Sequence, residues 1–282
     1  MNLFINCDDN PITLNKKNYL LAAAKRLGID AVRDLKSRTS DEENKFCLNV
    51  EPCTFYAGTR WSGMWEIDLL CDRPQTGDSW ANVDMVFLAG CTYPSRLKNL
   101  EHKINILFQA CDPTIHKRTK KPVYDFVQCG SMDSPRYEER GRLVSLLRDK
   151  GYTFMDGGKD KSVYQYIDII SQARVQFIRS MKSHIADGEL AQRFFECLAI
   201  GPVLTNYVKD LELLGLVEGV DYFSYKNDDE MITKFDYLIK NPDFAEKMAI
   251  NGRNKAILSH TYEHRLVTIL TLMNETIRQK EH

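Results

Sequence analysis

Short apolar runs alternate along this chain with longer segments in which apolar residues recur at helical spacing. The short runs predict strands at Leu3–Cys7, Val83–Ala89, Ile104–Gln109, Phe126–Cys129, Thr153–Met155, Val175–Ile178 and Val203–Thr205. The periodic segments predict helices at Leu14–Leu27, Tyr137–Lys150, Tyr164–Ser171, Gly188–Ile200, Asp228–Lys240, Pro242–Ser259 and Glu263–Gln279. Strands separated by helices of this length are typical of βαβ units, so the pattern predicts an α/β fold with parallel sheets.

The length of 282 residues favours two domains. A polar, basic and proline-interrupted stretch, Thr119–Pro122, is typical of a linker. It predicts domains at 1–122 and 123–282. Because ligands of parallel sheets bind beyond the carboxyl ends of the strands, two such domains would place a ligand in a cleft between them.

Composition narrows the class of protein. With 38 Lys and Arg against 39 Asp and Glu, the net charge is −1, which does not indicate nucleic-acid binding through bulk charge. No apolar run approaches the length of about 20 residues that a membrane helix needs, and the N-terminus lacks a signal-peptide pattern, so we expect a cytoplasmic protein. None of the eight cysteines forms a C-x-x-C pair, and we expect Cys7, Cys91, Cys111 and Cys129 to be buried rather than to bind metal.

The segment from Asp187 to Asn206 carries the strongest candidate chemistry. Asp187 is a suitable N-cap, and Glu189, Arg193 and Glu196 would lie on one face of the helix that follows. This face is either a solvated set of ion pairs or a site for a polyhydroxylated phosphate ligand, whose hydroxyls bind carboxylates and whose phosphates bind arginine.

A second candidate follows the strand Phe126–Cys129. Gly130 and Ser131 form a turn there, and Arg136 and Arg140 come at the start of the next helix. A turn of this kind can hold an anion through backbone N–H groups, but it can also be an ordinary strand-to-helix turn.

Several motifs in this half of the chain occur together in one known family. They are Val127-x-Cys129-Gly130-Ser131, Arg193-Phe194-Phe195-Glu196, Gly201-x-x-Leu204-Thr205, Ile250-x-x-Gly252-Arg253 and His260-Thr261-Tyr262-x-x-Arg265. In order and spacing, over about Phe126–Glu275, the sequence resembles the CgeB-like glycosyltransferases. The resemblance implies the GT-B architecture, in which two Rossmann-like domains face a cleft. The last helix of that architecture packs back across the N-terminal domain.

The resemblance also implies a donor site. Glu196 would bind the ribose of a nucleotide-sugar, with a UDP-sugar favoured. The diphosphate would be held by Arg193 together with Gly130, Ser131, Arg136 and Arg140. No metal or further cofactor is required, because arginines can stabilise the leaving diphosphate.

Many related transferases have two glutamates in this motif, of which the second corresponds to Glu196. The first of the two is displaced in the present sequence. Gly188 occupies its place here, with Glu189 one position nearer. Asp187 or Glu189 would take that role by a local shift.

An inverting transferase also needs a general base on the acceptor hydroxyl. In this architecture the base comes from the first domain, where Asp8, Asp9, Asp112 and His116 lie at or just beyond the carboxyl ends of predicted strands. Each of them is otherwise an ordinary turn or capping residue. A retaining enzyme would not need a protein base.

A basic stretch and an aromatic stretch bear on the acceptor. Lys117, Arg118, Lys120 and Lys121 form either a solvated linker or a contact for a phosphate backbone. Tyr56, Arg60, Trp61 and Trp65 could stack on a base or a sugar, or belong to a core. The acceptor is therefore a hydroxymethylated DNA base, which would have to be flipped out of a duplex, or a saccharide, a protein side chain or a small metabolite.

Two classes of function remain in competition. The leading hypothesis is a nucleotide-sugar-dependent glycosyltransferase. The alternative is a non-catalytic nucleotide- or nucleic-acid-binding module on the same scaffold, which the displaced carboxylate motivates. A phosphotransferase is disfavoured because the sequence has neither a G-x-x-x-x-G-K-[S/T] loop nor a G-x-G-x-x-G turn.

Overall fold

The computed structural model describes residues 3–6, 11–32, 46–50, 61–66, 83–90, 101–130, 132, 137–179 and 190–281. These residues form two compact units. The first unit contains the chain up to Gln109 and again from Tyr262 onwards, and the second contains the described residues from Ala110 to Thr261.

The first unit is built on a parallel six-stranded sheet. Its strands are β1 (Leu3–Asn6), β2 (Ala31–Val32), β3 (Phe46–Val50), β4 (Trp61–Glu66), β5 (Met85–Leu88) and β6 (Ile104–Ile106). They are arranged in the order β2-β1-β3-β4-β5-β6, and every adjacent pair is parallel. Helix α1 (Pro11–Arg26) connects β1 to β2.

Three strands of this sheet were not expected from the sequence. The prediction contains β1, β5 and a longer version of β6, but it lacks β2, β3 and β4. The sequences Phe46–Val50 (FCLNV) and Trp61–Glu66 (WSGMWE) are short and contain polar or glycine positions between their apolar ones. They therefore lack the continuous apolar run that identifies a buried strand, and parallel pairing on both sides supplies their stability.

The second unit contains five parallel strands and five helices among its described residues. The strands are β7 (Phe126–Cys129), β8 (Phe154–Gly158), β9 (Gln176–Ile178), β10 (Val203–Asn206) and β11 (Phe223–Tyr225). The helices are α2 (Glu138–Asp149), α3 (Val163–Ile170), α4 (Gln192–Leu198), α5 (Asp228–Lys240) and α6 (Pro242–Ser259). Strand β11 and a 3-10 turn at Lys209–Leu213 were not expected, whereas the other strands and helices were.

Strands β7 and β9 lie side by side in this unit, although β8 separates them in sequence. β8 pairs with β7, and β9, β10 and β11 form a second paired set. The backbone N–H groups of Arg174 and Val175 donate to the carbonyls of Tyr124 and Asp125, which joins the starts of β9 and β7. The order of the chain along the sheet therefore reverses between β7 and β9, and such a reversal marks a ligand crevice at the carboxyl ends of the strands.

The strands of the second unit are fixed at their amino ends by Asp125. Its carboxylate accepts hydrogen bonds from the backbone N–H and the hydroxyl of Thr153, both at 2.8 Å, and pairs with Arg174 at 3.1 Å. Below this contact Phe126, Phe177 and Phe235 pack edge to face in the buried core. Because β7, β8 and β9 are tied together at one end, the positions of their carboxyl ends are also defined.

Local sequence explains several helix starts. Ser162 and Gln165 form a capping box at the start of α3, and Asn227 accepts the backbone N–H of Glu230 at the start of α5. Pro242 occupies the first turn of α6, where its missing N–H costs nothing.

The boundary between the units differs from the prediction. The structure divides the chain at Gln109 and Ala110 rather than at residue 122. The linker-like stretch is held to α3, because Thr119 N–H donates to Ser171 Oγ at 3.1 Å and Val123 N–H donates to the Gln172 carbonyl at 2.9 Å. Polar composition indicated a solvated linker, but its backbone groups are satisfied by the second unit.

Helix α7 (Tyr262–Glu281) returns to the first unit. The ring of Tyr262 lies 5.2 Å from that of Tyr19 in α1, and Lys280 pairs with Asp84 next to β5. Trp65 is buried beside Tyr262 and donates to the Leu107 carbonyl at 3.0 Å. Trp65 therefore belongs to the core, which leaves it unavailable for stacking on a ligand.

The side chains of Cys111 and Cys129 are buried, as predicted, and so are those of Cys47 and Cys197. Cys7 and Cys91 lie outside the described residues. Within the described ranges, no helix combines the length and the apolar character needed to cross a bilayer.

Gly157 provides a test of the packing between β8 and its neighbours. A Cβ atom at this position would lie 2.3 Å from Cys129 Sγ and 2.8 Å from Ile169 Cγ2. We expect Gly157→Ala to lower the free energy of unfolding by about 1–3 kcal/mol in urea titrations, because the packed interior cannot accept the added methyl. In the double variant with Cys129→Ala, part of the lost free energy of unfolding should be recovered. If Gly157→Ala alone were as stable as wild type, the close packing at Gly157 would be contradicted.

Candidate functional site

Helix α4 carries the two residues on which the site is centred, Arg193 and Glu196. The helix is shorter than predicted, since it spans Gln192–Leu198, and its N-cap Ala191 makes no side-chain cap. Asp187 and Glu189, the expected cap and the third member of the charged face, lie outside the described residues. Gly201 and Pro202 follow the helix closely and lead directly into β10.

Glu196 is a buried carboxylate rather than part of a solvated helix face. Only 8% of the residue is exposed. Its Oε1 accepts a hydrogen bond from Gln192 Nε2 at 2.7 Å and lies 3.4 Å from His116 Nε2. Both of these contacts use the same oxygen. The alternative of a surface ion-pair network is therefore wrong for Glu196.

The surroundings of Glu196 keep it ionised. Burial by itself would raise the pKa of Glu196, but the hydrogen bond and charge of His116 and the charge of Arg193 outweigh burial and hold the pKa below its usual value. The carboxylate is thus a hydrogen-bond acceptor with a full negative charge at neutral pH.

Arg193 packs against a tyrosine that the sequence did not single out. Its guanidinium carbon lies 5.4 Å from the centre of the Tyr166 ring, on α3. The Tyr166 hydroxyl is enclosed beside Glu196 and Cys197, and together with His116 and Arg193 it helps to lower the pKa of Glu196. Burial raises the pKa of Tyr166 well above its usual value, so the group stays protonated. The only sequence signal for Tyr166 was its place on an amphipathic helix.

Gly130, at the end of β7, lies where Arg140 and Arg193 converge. Its φ is +95°, a conformation that favours glycine. A Cβ atom built on it would lie 3.7 Å from Arg193 Nη2 and 3.8 Å from Arg140 Nη1. The Gly130 N–H donates to the Gly158 carbonyl at 2.9 Å, so this amide does not serve as an anion donor. Ser131 and Arg136 lie outside the described residues.

The two arginines bring like charges together at the carboxyl ends of β7 and β9. Arg140 Nη2 lies 3.5 Å from the carbonyl of Arg179, which directly follows β9. Burial and the neighbouring charge of Arg193 lower the pKa of Arg140 to about 10. This lowered pKa is the electrostatic signature of a site in which an anion would be bound favourably.

Two of the predicted general bases are buried in the second unit. Asp112 and His116 have no exposed surface. Asp112 Oδ1 caps a turn by accepting the N–H and hydroxyl of Thr114 at 2.9 and 2.6 Å. A general base must come within hydrogen-bond distance of the substrate hydroxyl, and the complete burial of both side chains disfavours that role. The expectation that they belong to the first domain is also wrong, since the units divide before them. Asp8 and Asp9 lie outside the described residues.

The basic stretch is partly neutralised. Arg118 pairs with Glu246 at 3.3 Å and Lys120 with Asp168 at 3.6 Å, while Lys117 and Lys121 are exposed. Contact of this stretch with a nucleic acid stays a prediction. Of the aromatic stretch, Tyr56 and Arg60 lie outside the described residues, as does the side chain of Trp61.

His260 occupies the corner predicted between the last two helices. It ends α6, and its Nε2 lies 3.1 Å from the Leu214 carbonyl, with its ring 5.6 Å from that of Phe195. In the parts of the chain that the structure describes, no cluster of three or more His, Cys, Asp or Glu side chains could hold a metal ion.

Charged side chains at the switch point of a parallel α/β sheet are typical of nucleotide-binding domains. The family described as Glycosyl transferase-like matches residues 116–271, which is more than half of the chain, and the chain belongs to this family. The narrower CgeB-like assignment stays a prediction. A comparison with curated proteins finds no match.

Solved structures resemble the chain over almost its whole length. HepE from Anabaena in complex with UDP has 10% identity and a TM-score of 0.60, over 97% of this chain and 99% of its own. Sucrose-phosphate synthase from Thermosynechococcus elongatus has 11% identity and a TM-score of 0.60, over 99% of each chain. The DNA-modifying enzyme β-glucosyltransferase has 12% identity and a TM-score of 0.59, over 99% of this chain and 100% of its own. At such low identity these matches show the fold, and they confirm the predicted α/β fold of the GT-B type.

Substitution of Arg140 tests the like-charge pair. Below about pH 10 Arg140 is charged in the folded protein, and burial and the charge of Arg193 make this charge unfavourable for stability. We therefore expect Arg140→Gln to raise the ligand-free Tm slightly, by about 1–3 °C. Inorganic pyrophosphate should raise the Tm of wild type more than that of the variant.

The matched control is Arg142, two positions further along α2. Arg142 pairs with Glu139 at 2.8 Å and with Asp228 at 2.6 Å, so Arg142→Gln should lower the Tm. If Arg140→Gln lowered the Tm to the same extent, Arg140 would have to be stabilised by its surroundings rather than opposed by Arg193.

Proposed function

We propose that this chain is a nucleotide-sugar-dependent glycosyltransferase that moves a sugar from a UDP-sugar to an acceptor hydroxyl. The observation that carries the proposal is the pair Arg140 and Arg193 beside the buried carboxylate of Glu196. Membership in the Glycosyl transferase-like family supports the reaction class. The complex of HepE with UDP supports the choice of nucleotide.

The charges of the site suit the two ends of a nucleoside diphosphate. The guanidinium groups of Arg140 and Arg193 would grip the diphosphate, and they would stabilise the negative charge that grows on it as the bond to the sugar breaks. The ionised Glu196 carboxylate would accept hydrogen bonds from the ribose hydroxyls. Ser131, Arg136 and Glu189 remain candidates for additional contacts with the donor. In this scheme the arginines hold the diphosphate, so donor binding needs no metal. The co-substrate is a nucleotide-sugar, as the resemblance to the glycosyltransferases implies.

The transfer step needs groups from the acceptor side. As the sugar develops positive charge, an inverting reaction would use a general base, for which Asp8 and Asp9 are the remaining candidates from the sequence. The acceptor is assigned to the first unit, whose N-terminal part ends at Gln109 and not at the residue 122 expected from the sequence. A cytoplasmic location is part of the same proposal.

The acceptor class is either a hydroxymethylated DNA base or a saccharide. The basic residues Lys117 and Lys121, which are exposed, favour a phosphate-bearing acceptor. The similarity to a DNA-modifying β-glucosyltransferase is consistent with this acceptor, and the similarity to sucrose-phosphate synthase is consistent with a saccharide.

Calorimetric titration with UDP tests the donor site. We expect wild type to bind UDP and Glu196→Ala to bind it about 10- to 100-fold more weakly, because a charged hydrogen-bond acceptor contributes about 1.5–3 kcal/mol. Glu246→Ala, which removes an exposed acidic residue of α6, is the matched control and should bind as wild type does. If neither UDP nor any other common nucleoside diphosphate binds to wild type, the proposed function is wrong.

A second measurement separates the transferase from a non-catalytic binding module. The displaced carboxylate at Gly188 motivates the module, which would bind nucleotide without turnover. Release of UDP from UDP-glucose, with hydroxymethylated DNA or a saccharide as acceptor, is expected for the transferase. Binding without UDP release on any acceptor would favour the module.

A further inference from the structure

His116 approaches Glu196 from outside the helix that carries it. Gln192, on α4 itself, holds Glu196 Oε1 at 2.7 Å, and His116 Nε2 lies 3.4 Å from the same oxygen. The two contacts therefore come from different parts of the chain. One oxygen of the carboxylate is engaged twice, while neither contact uses Oε2.

A tight turn fixes the imidazole of His116. The Asp112 carbonyl accepts the N–H groups of Ile115 and His116 at 3.1 and 2.7 Å. His116 Nδ1 receives the Asp112 N–H at 2.8 Å and also lies 3.0 Å from the Asp112 carbonyl oxygen. Because that carbonyl already accepts two backbone N–H groups, and because the Asp112 N–H can only donate, we assign Nδ1 as an acceptor and place a ring proton on Nε2, the atom that faces Glu196.

The backbone of His116 is anchored as well. Arg253 Nη1, on α6, donates to the His116 carbonyl at 3.1 Å and also to the carbonyl of Ala199, which ends α4. The turn that presents His116 and the helix that presents Glu196 are therefore held by the same guanidinium group. Their relative position is set by the fold and does not depend on a ligand.

We propose that His116 is a positioning residue, which donates through Nε2 to Glu196 Oε1 and thereby leaves Oε2 to accept hydrogen bonds from the donor ribose. The inference rests on the proposed function. It replaces the role of general base expected from the sequence, which the complete burial of the side chain disfavours. His116 would not touch the donor itself but would act on it through Glu196.

Burial makes this donor important for the charge of Glu196. The other ionisable groups that act on the carboxylate are Arg193 on α4 and Tyr166 on α3. Burial favours the protonated acid, and His116 is the largest influence opposing it. Without His116, the pKa of Glu196 should rise, so that the carboxylate would take up a proton as the pH falls.

The test compares two substitutions of His116 by calorimetry with UDP. We expect His116→Leu, which removes the donor, to weaken UDP binding about tenfold at pH 7.5. His116→Gln keeps an N–H at the end of its side chain and should stay within about threefold of wild type. His102→Leu, at an exposed histidine of the first unit, is the control and should have no effect.

The pH dependence gives a readout that a purely structural role would not move. The terminal phosphate of UDP takes up a proton between about pH 8 and 5, since its second pKa is about 6, so the pH dependence of wild type is the baseline. The lowered pKa of Glu196 keeps its carboxylate ionised in wild type over this range. In His116→Leu the affinity should fall more steeply than in wild type as the pH falls. In the Glu196→Gln background, His116→Leu should cost much less than it does alone, since both changes act on the same group.

The possible outcomes separate this inference from the proposed function. If wild type binds UDP and Glu196→Gln weakens binding, but His116→Leu binds normally, His116 has no positioning role while the function stands. If His116→Leu weakened UDP binding equally in wild type and in the Glu196→Gln background, the inference would also be overturned. If His116→Leu does not fold, ¹⁵N spectra of histidine-labelled wild type decide the matter. A proton on Nε2, in a neutral or a cationic ring, supports the inference, and a proton on Nδ1 alone excludes it.

Discussion

The site depends on one electrostatic constraint: two guanidinium groups and one buried carboxylate are held at fixed positions within a single folded unit. Arg140 and Arg193 repel each other across the space at Gly130, and Glu196 must remain charged although it is buried. The repulsion between the arginines disfavours the ligand-free protein, whereas His116 and Arg193 keep the buried Glu196 carboxylate ionised. A ligand with an anion at one end and hydroxyl groups at the other would relieve the repulsion and would use the carboxylate as a hydrogen-bond acceptor.

Such a site requires a rigid base, and the second unit provides one. Asp125 ties the amino ends of β7, β8 and β9 together, and the aromatic core around Phe126 fills the space beside them. At the opposite ends of these strands, Gly157 allows β8 to lie directly against Cys129. A shift of any one strand would move Gly130 or α4, so the packing of the whole unit determines the distance between the charges.

The sequence predicted the parts of the fold that depend on local patterns of apolar residues. The apolar runs identified β7, β9 and β10, and periodicity identified α5 and α6, because these elements are buried on a regular face. Strands β3 and β4 were missed, since their stability comes from parallel neighbours that are distant in the sequence. The linker was misplaced for a similar reason: Thr119 is polar by composition, but its hydrogen bonds come from residues after position 165.

The candidate site was predicted to a comparable extent. The helical spacing of charged residues identified Arg193 and Glu196 as candidates, and the glycine turn after β7 identified Gly130 and Arg140. The sequence could not show that Glu196 is buried or that His116 lies beside it, because these two residues meet only through the fold. Tyr166 was missed because an aromatic residue on an amphipathic helix is usually part of a core.

The first unit is formed from two stretches of the chain that are far apart in sequence, which affects its folding during translation. Strands β1 to β6 are translated first, yet α7, which packs on α1, follows only after residues 110–261. The middle of the chain can therefore finish folding on the ribosome before the earlier part acquires its last helix, which reverses the usual N-to-C order. Until translation reaches Tyr262 and beyond, the surface of α1 around Tyr19 lacks the helix that covers it in the folded protein.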